Sequence, residues 1–106
     1  MRILFDQGTP VPLRRALIEH AVETAYERGW SELQNGALIA AAEAAGFEVF
    51  ITTDRNLKYQ QNLTARTLSI VVLLTTSWPR IQAALPKVIA AVERAVSGGY
   101  EEVHIG

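Results

Sequence analysis

Residues 69–75 read SIVVLLT. A strand with one wet face alternates apolar and polar side chains, whereas this run carries Ile70, Val71, Val72, Leu73 and Leu74 without interruption. Such a run fits a strand covered on both faces, the situation of parallel sheets flanked by helices. Residues 47–52, FEVFIT, read the same way, and Ile3-Leu4-Phe5 makes a third short run ended by Asp6. A weaker strand is expected over 21–25, where Glu23 and Thr24 dilute the apolar character, and a short final one over 100–105.

Between these strands the spacing predicts helices. Leu13, Leu17 and Ile18 recur at helical intervals with Arg14, Arg15 and Glu19 outside, which gives a helix over 10–20. Leu38, Ile39, Ala42 and Ala45 give a second over 35–45, with Asn35 as its cap and Gly46 as its stop. After Trp78-Pro79 a further helix is divided by Pro86, and its second half, 87–96, carries the stripe Val88, Ile89, Val92 and Val96 up to Gly98-Gly99. Strands alternating with helices imply right-handed crossovers. The expected fold is α/β: a three-layer sandwich with a central, mainly parallel sheet of four or five strands and helices on both faces.

At 106 residues, 49% of them hydrophobic, the chain suits one packed domain and has no repeat or linker. It contains no cysteine, which excludes disulfides, thiolate metal sites and cysteine nucleophiles. The opening MRILFDQ is too short in apolar residues for a signal peptide, and no run approaches membrane-spanning length, so a cytoplasmic protein with no membrane partner is the expectation. The net charge of −1 hides an uneven distribution. Residues 1–54 hold four arginines against eight carboxylates, a net of −4, while 55–94 hold six cations against Glu93 alone, a net of +5. An anionic partner for the second half is one reading, and ordinary solvated faces are the other.

Ligands of parallel α/β sheets gather beyond the carboxyl ends of the strands. Asp6 ends the first strand and Asp54 follows the third by two residues, so the two carboxylates converge if those strands are neighbours or nearly so. Glu43 shares a helical face with Asn35, Leu38, Ile39 and Ala42, and a carboxylate on the border of an apolar stripe needs a basic partner, water or a metal ion. Clustered carboxylates without cysteine suit a hard cation such as Mg²⁺ or Mn²⁺, which activates water against a phosphodiester. The polar run after Thr53 supplies Asn56, Lys58 and Gln61 to position water or phosphate, and Arg55 and Arg66 to neutralise the backbone. His20 and His104 belong to no metal spacing and are read as structural. Trp30 and Trp78 are read as closing the core, with base stacking the alternative for one of them. There is no G-x-G-x-x-G, no phosphate-loop lysine motif and no G-x-S-x-G.

The opening ILFDQGTP and the segment GFEVFITTDRNL, in this order and at this separation, resemble the small single-domain relatives of PIN ribonucleases. The resemblance implies a metal-dependent endoribonuclease acting on RNA, of the kind that serves as the toxin in a toxin–antitoxin pair. Asp6 and Asp54 match two of that family's acids. Asn35 stands where the family has an acid at the start of its second helix, Gln7 follows the first aspartate, and Glu43 is expected to replace the missing acid. Catalytic and metal-binding roles thus fall to Asp6, Glu43 and Asp54, and substrate contacts to Asn35, Arg55, Asn56, Lys58, Gln61 and Arg66. Two further readings stay open: a PIN-like scaffold that binds a protein or RNA without cutting, and a phospho-acceptor receiver domain using Asp54 with Thr75 or Thr76. Apolar surface near the C-terminal helix raises the prospect of a homodimer.

Overall fold

The computed structural model describes residues 1–57 and 66–105. Five parallel strands form one sheet: β1 (Arg2–Phe5), β2 (Ala21–Thr24), β3 (Val49–Thr52), β4 (Ser69–Leu73) and β5 (Tyr100–Val103), in the order β2-β1-β3-β4-β5. Among the described residues the helices are α1 (Asn35–Ala44), α2 (Trp78–Ala83) and α3 (Leu85–Glu93), and a 3-10 helix spans Val11–Leu17. Among the described residues no helix is long and apolar enough to cross a membrane.

The unbroken apolar runs divide by alternation between two cores. Ile3, Phe5, Val49, Ile51, Val71 and Leu73 point to one face, where they meet Leu13 and Leu17 of the 3-10 helix, Ile81 of α2, and Val88, Ala91 and Val92 of α3. Leu4, Phe50, Ile70 and Val72 point to the other and meet Leu38, Ile39 and Ala42 of α1, together with Leu57. Each such side chain stabilises the fold by about 1.5–3 kcal/mol, so a polar residue in the interior of β3 or β4 would cost heavily on one face or the other, and the buried polar residues Thr52 and Ser69 stand at strand ends. That is why neither strand shows a polar alternation.

Local departures from the sequence reading have physical causes. The helix expected over 10–20 is a 3-10 helix over Val11–Leu17, opened by the Leu13 amide donating to the Pro10 carbonyl at 3.1 Å. At about 2.0 Å per residue, seven residues of 3-10 helix span about 14 Å, close to the height of a four-residue strand, whereas seven residues of α-helix fall short. The cap of α1 is Gln34, without a side-chain bond, and not Asn35, which is already helical. Its stop is a full Schellman motif: the Phe47 amide donates to the Ala42 carbonyl at 3.0 Å and the Gly46 amide to the Glu43 carbonyl at 3.1 Å, with Gly46 at φ +85°. Ala84 separates α2 from α3, placing Pro86 in a first turn where its missing N–H costs nothing. Because α3 ends at Glu93, Val96 leaves the apolar stripe and is 67% exposed.

The crossovers do not all share one hand. The β2 to β3 connection carries α1 over one face, and the β1 to β2 connection runs in the opposite direction over the opposite face, so these two agree. The β4 to β5 connection advances in the same direction as β2 to β3 but crosses the other face, and its hand is therefore opposite. Uniformly right-handed crossovers are the expectation for short units. Here α2 and α3 cover Ile51, Val71, Leu73 and Val103 on a face that α1 leaves bare, and that burial outweighs the handedness preference.

Candidate active site

The chain reverses direction across the sheet between β1 and β3, which makes their carboxyl ends the switch point of the fold. Asp6 is the first residue beyond β1, and its amide continues the ladder by donating to the Ile51 carbonyl at 3.2 Å. Its carboxylate is held from both sides. Thr9 Oγ1 donates to Oδ1 at 2.7 Å, and the hydroxyl of Thr52, the last residue of β3, donates to Oδ2. Thr9 Oγ1 also lies 2.9 Å from the Ile51 carbonyl; with a single proton to give, it favours the charged acceptor.

Asp54 is fixed from the same atom. Its amide donates to Thr52 Oγ1 at 3.1 Å, its Oδ1 accepts from the Asn56 amide at 3.0 Å, and its carbonyl accepts from the Leu57 amide at 3.3 Å. One fully buried hydroxyl thus joins both aspartates, donating to the carboxylate of Asp6 and accepting from the backbone of Asp54. The loop after Asp6 presses against this corner, since a Cβ on Gly8 would stand 2.5 Å from Thr53 Oγ1. Thr9 and Thr52 are absent from the residues that the sequence singles out. The available signal was Thr52 itself, a hydroxyl at the end of a run in which every other inward position is hydrocarbon.

From Asp6 a cleft of about 580 Å³ opens toward β2, walled by Gln7, Thr9, Arg14, Tyr26 and Glu27. Arg14 makes a forked ion pair with Glu27, and Glu27 also accepts from the Thr24 amide at 2.9 Å. The Arg14 bond and the Thr24 amide hold the Glu27 carboxyl below its usual range. Gln7 is tied down by its side-chain amide, which donates to the Ser31 carbonyl at 3.0 Å.

Glu43 and Arg66 belong elsewhere. Helix α1 runs back against the strands, so Asn35 opens it near the carboxyl ends and Glu43 lies one turn from the amino ends. There Glu43 Oε2 accepts from the amides of Thr67 at 2.6 Å and Leu68 at 3.2 Å and from Thr67 Oγ1 at 3.0 Å, while Oε1 pairs with Arg66 Nη1 at 3.1 Å. The sheet's height separates this knot from Asp6, and the expectation of Glu43 as a third ligand beside the two aspartates is corrected accordingly. Glu43 does border the apolar face of α1, but its partners are a basic side chain, a hydroxyl and two amides. Arg66 is consumed by the same knot and is not at the aspartates. Arg55 is exposed beside Asp54, and Asn56 contributes its backbone amide to the turn. Lys58 and Gln61 lie outside the described residues.

Among the described residues no three His, Cys, Asp or Glu side chains gather in a way that would hold a metal ion. Asp6 and Asp54 by themselves suit a magnesium-type ion. Such an ion keeps most of its waters and binds through one or two carboxylates, and the donors here are oxygen only. Each Asp6 oxygen accepts one hydroxyl hydrogen and retains a lone pair for a further ligand. No protein-family model matches the chain, and no curated protein and no solved structure is similar to it at a significant level.

Proposed function

We propose that the chain is a metal-dependent endoribonuclease of the PIN-like type, active in the cytoplasm as the toxin of a toxin–antitoxin pair. The observation that carries the reading is the pair of aspartates at the β1/β3 switch point, fixed through one buried threonine hydroxyl. Asp6 and Asp54 would hold Mg²⁺ or Mn²⁺ with its waters, and the bound ion would supply an activated water and stabilise the attacked phosphodiester. Thr9 and Thr52 donate to the two oxygens of Asp6 and set the direction of its remaining lone pairs. Arg55, exposed beside Asp54, offers charge to the phosphate backbone. RNA is the substrate partner, a small antitoxin the regulatory one, and a homodimer through the C-terminal helix a further assembly.

Mn²⁺ titration calorimetry on the wild type and on Asp54→Asn, with RNA cleavage assayed on the same preparations, tests this. Asparagine keeps the acceptor that the Asn56 amide needs, so the variant should fold, and it should lose both ion binding and cleavage. A wild type that binds no Mn²⁺ at millimolar concentration would remove the reading.

One observation favours the scaffold alternative. The third carboxylate expected at the site is engaged at the far end of the sheet, which leaves two acids where the resembled family uses three or four. A binding module of this kind would retain its partner after loss of Asp6 and Asp54. The strand order is also that of receiver domains, but Gln7 occupies their second acidic position.

A further inference from the structure

The eight arginines fall into two sets. Arg2 and Arg28 pair with Glu23 at 3.4 and 3.5 Å, Arg14 with Glu27, Arg66 with Glu43 at 3.1 Å, and Arg94 with Glu101. Arg15, Arg55 and Arg80 are exposed and, among the described residues, meet no carboxylate. Their placement is not scattered. Arg55 follows Asp54, Arg80 lies in the first turn of α2 beyond the carboxyl end of β4, and Arg15 sits on the 3-10 helix that leads away from Asp6 and packs against α2.

Between the 3-10 helix and α2 runs a groove of about 450 Å³ lined by Pro12, Arg15, Ala16, Trp78, Gln82 and Leu85. It contains a cation, an amide and an indole, and no carboxylate. The cleft on the other side of the 3-10 helix contains Asp6 and Glu27, and its one arginine is already paired. The two tryptophans differ in the same sense. Trp30 carries the Arg28 guanidinium 4.7 Å from its ring and Phe47 edge-on at 6.2 Å, whereas Trp78 rests on the core and lines the groove.

We propose that the groove between the 3-10 helix and α2 is the track of a single-stranded nucleic acid, one base stacking on Trp78 with Arg15 and Arg80 on the flanking phosphates. Aromatic platforms beside unpaired cations bind single strands through stacking and backbone charge and need no base-specific contacts. Arg55, next to Asp54 in the chain, adds an exposed cation beside the aspartates, toward which a strand leaving the groove would run. The substrate direction rests on the nuclease reading; the binding itself does not.

The test is titration with a twelve-residue oligouridylate in EDTA, read by tryptophan fluorescence, so that no cleavage occurs and no ion is required. Quenching should be seen in the wild type and in Trp30→Phe and be lost in Trp78→Phe. Because Trp78 also packs on the core, the second variant is the exposed pair Arg15→Gln/Arg80→Gln. It should bind about tenfold more weakly, with the slope of log affinity against log salt reduced by about 1.4, or about 0.7 for each single-strand phosphate that no arginine neutralises any longer. Quenching that persists in Trp78→Phe, a salt slope unchanged by the double substitution, or equal affinity for an RNA duplex of the same length would each overturn the proposal. If the oligomer binds as expected while Asp54→Asn leaves Mn²⁺ binding unaltered, the groove stands and the nuclease reading falls.

Discussion

Glu43 separates the two ways of reading this chain, and its removal has opposite signs under them. A third carboxylate in a metal cluster is repelled by its neighbours, so replacing it with alanine would raise the stability of the ion-free protein and weaken Mn²⁺ binding. In the structure Glu43 is instead a latch, 19% exposed, whose two oxygens tie α1 to the approach of β4 through two amides, one hydroxyl and Arg66. Hydrogen bonds to a charged group contribute about 1.5–3 kcal/mol each when buried, and they do not add. Water can reach the exposed Thr67 amide, and alanine regains a few tenths through helix propensity, so the net cost of Glu43→Ala is about 2 kcal/mol. For a domain of this size that lowers the unfolding midpoint by about 10 °C. The same bonds give a pH signature. Burial pushes the Glu43 carboxyl up, but the Thr67 and Leu68 amides, the Thr67 hydroxyl and Arg66 together outweigh it and hold the group below its ordinary value of 4.5. A lowered folded-state value means that the stabilisation is complete above the unfolded value and disappears as pH falls through the folded one. The gap in midpoint between wild type and Glu43→Gln should therefore be widest near neutrality and close below about pH 4.5. Thermal melts followed by circular dichroism between pH 3 and 8 measure both effects. A midpoint for Glu43→Ala at or above that of the wild type, together with lost Mn²⁺ binding, would refute the latch and restore Glu43 to the metal site.

Two further substitutions probe the corner and the helix end. Thr52→Val keeps the shape of a fully buried side chain but removes the hydroxyl that serves both aspartates, so it should cost about 1–3 kcal/mol in urea unfolding and weaken Mn²⁺ binding although neither carboxylate is altered. Gly46→Ala forces a φ of +85° on a residue with a Cβ and sets that Cβ 3.0 Å from Arg2 Nη1, so the unfolding midpoint should fall by an amount corresponding to about 1–2 kcal/mol, with Mn²⁺ binding unchanged.

Most of the sheet was legible because its signal is local. The unbroken run at 69–75 can satisfy both faces of a strand only inside two layers of helix, and every side chain from Ser69 to Leu73 is buried. The positions of Asp6 and Asp54 followed from the same logic, since a residue just past a parallel strand must lie at its carboxyl end. What could not be read were contacts between segments distant in sequence. The Thr52 hydroxyl reaches Asp6 across 46 residues, and the Arg2 guanidinium reaches the Ala45 carbonyl at the end of α1 across 43. Nor did the charge totals survive folding, because Arg66 and Arg94, two of the six cations of the basic stretch, are neutralised by Glu43 and Glu101.

The misplacement of Glu43 follows from treating a helix face as a location. Periodicity fixes an angle around the axis, and on that coordinate Asn35 and Glu43 do stand together. Position along the axis is independent of it: eight residues at about 1.5 Å per residue put about 12 Å between them, close to the height of a four-residue strand. A helix that returns antiparallel to its strands therefore brings its first turn to the carboxyl ends and its last to the amino ends. Of the two candidates on α1, only Asn35 stands at the end of the helix nearer Asp6, and any carboxylate completing a site with Asp6 and Asp54 has to come from a segment beyond a strand's carboxyl end, as Glu27 does after β2. Arg55 and Arg80, which meet no carboxylate among the described residues, also stand toward the carboxyl ends, past a strand and in a first turn, while the amino-end Arg66 is neutralised by Glu43.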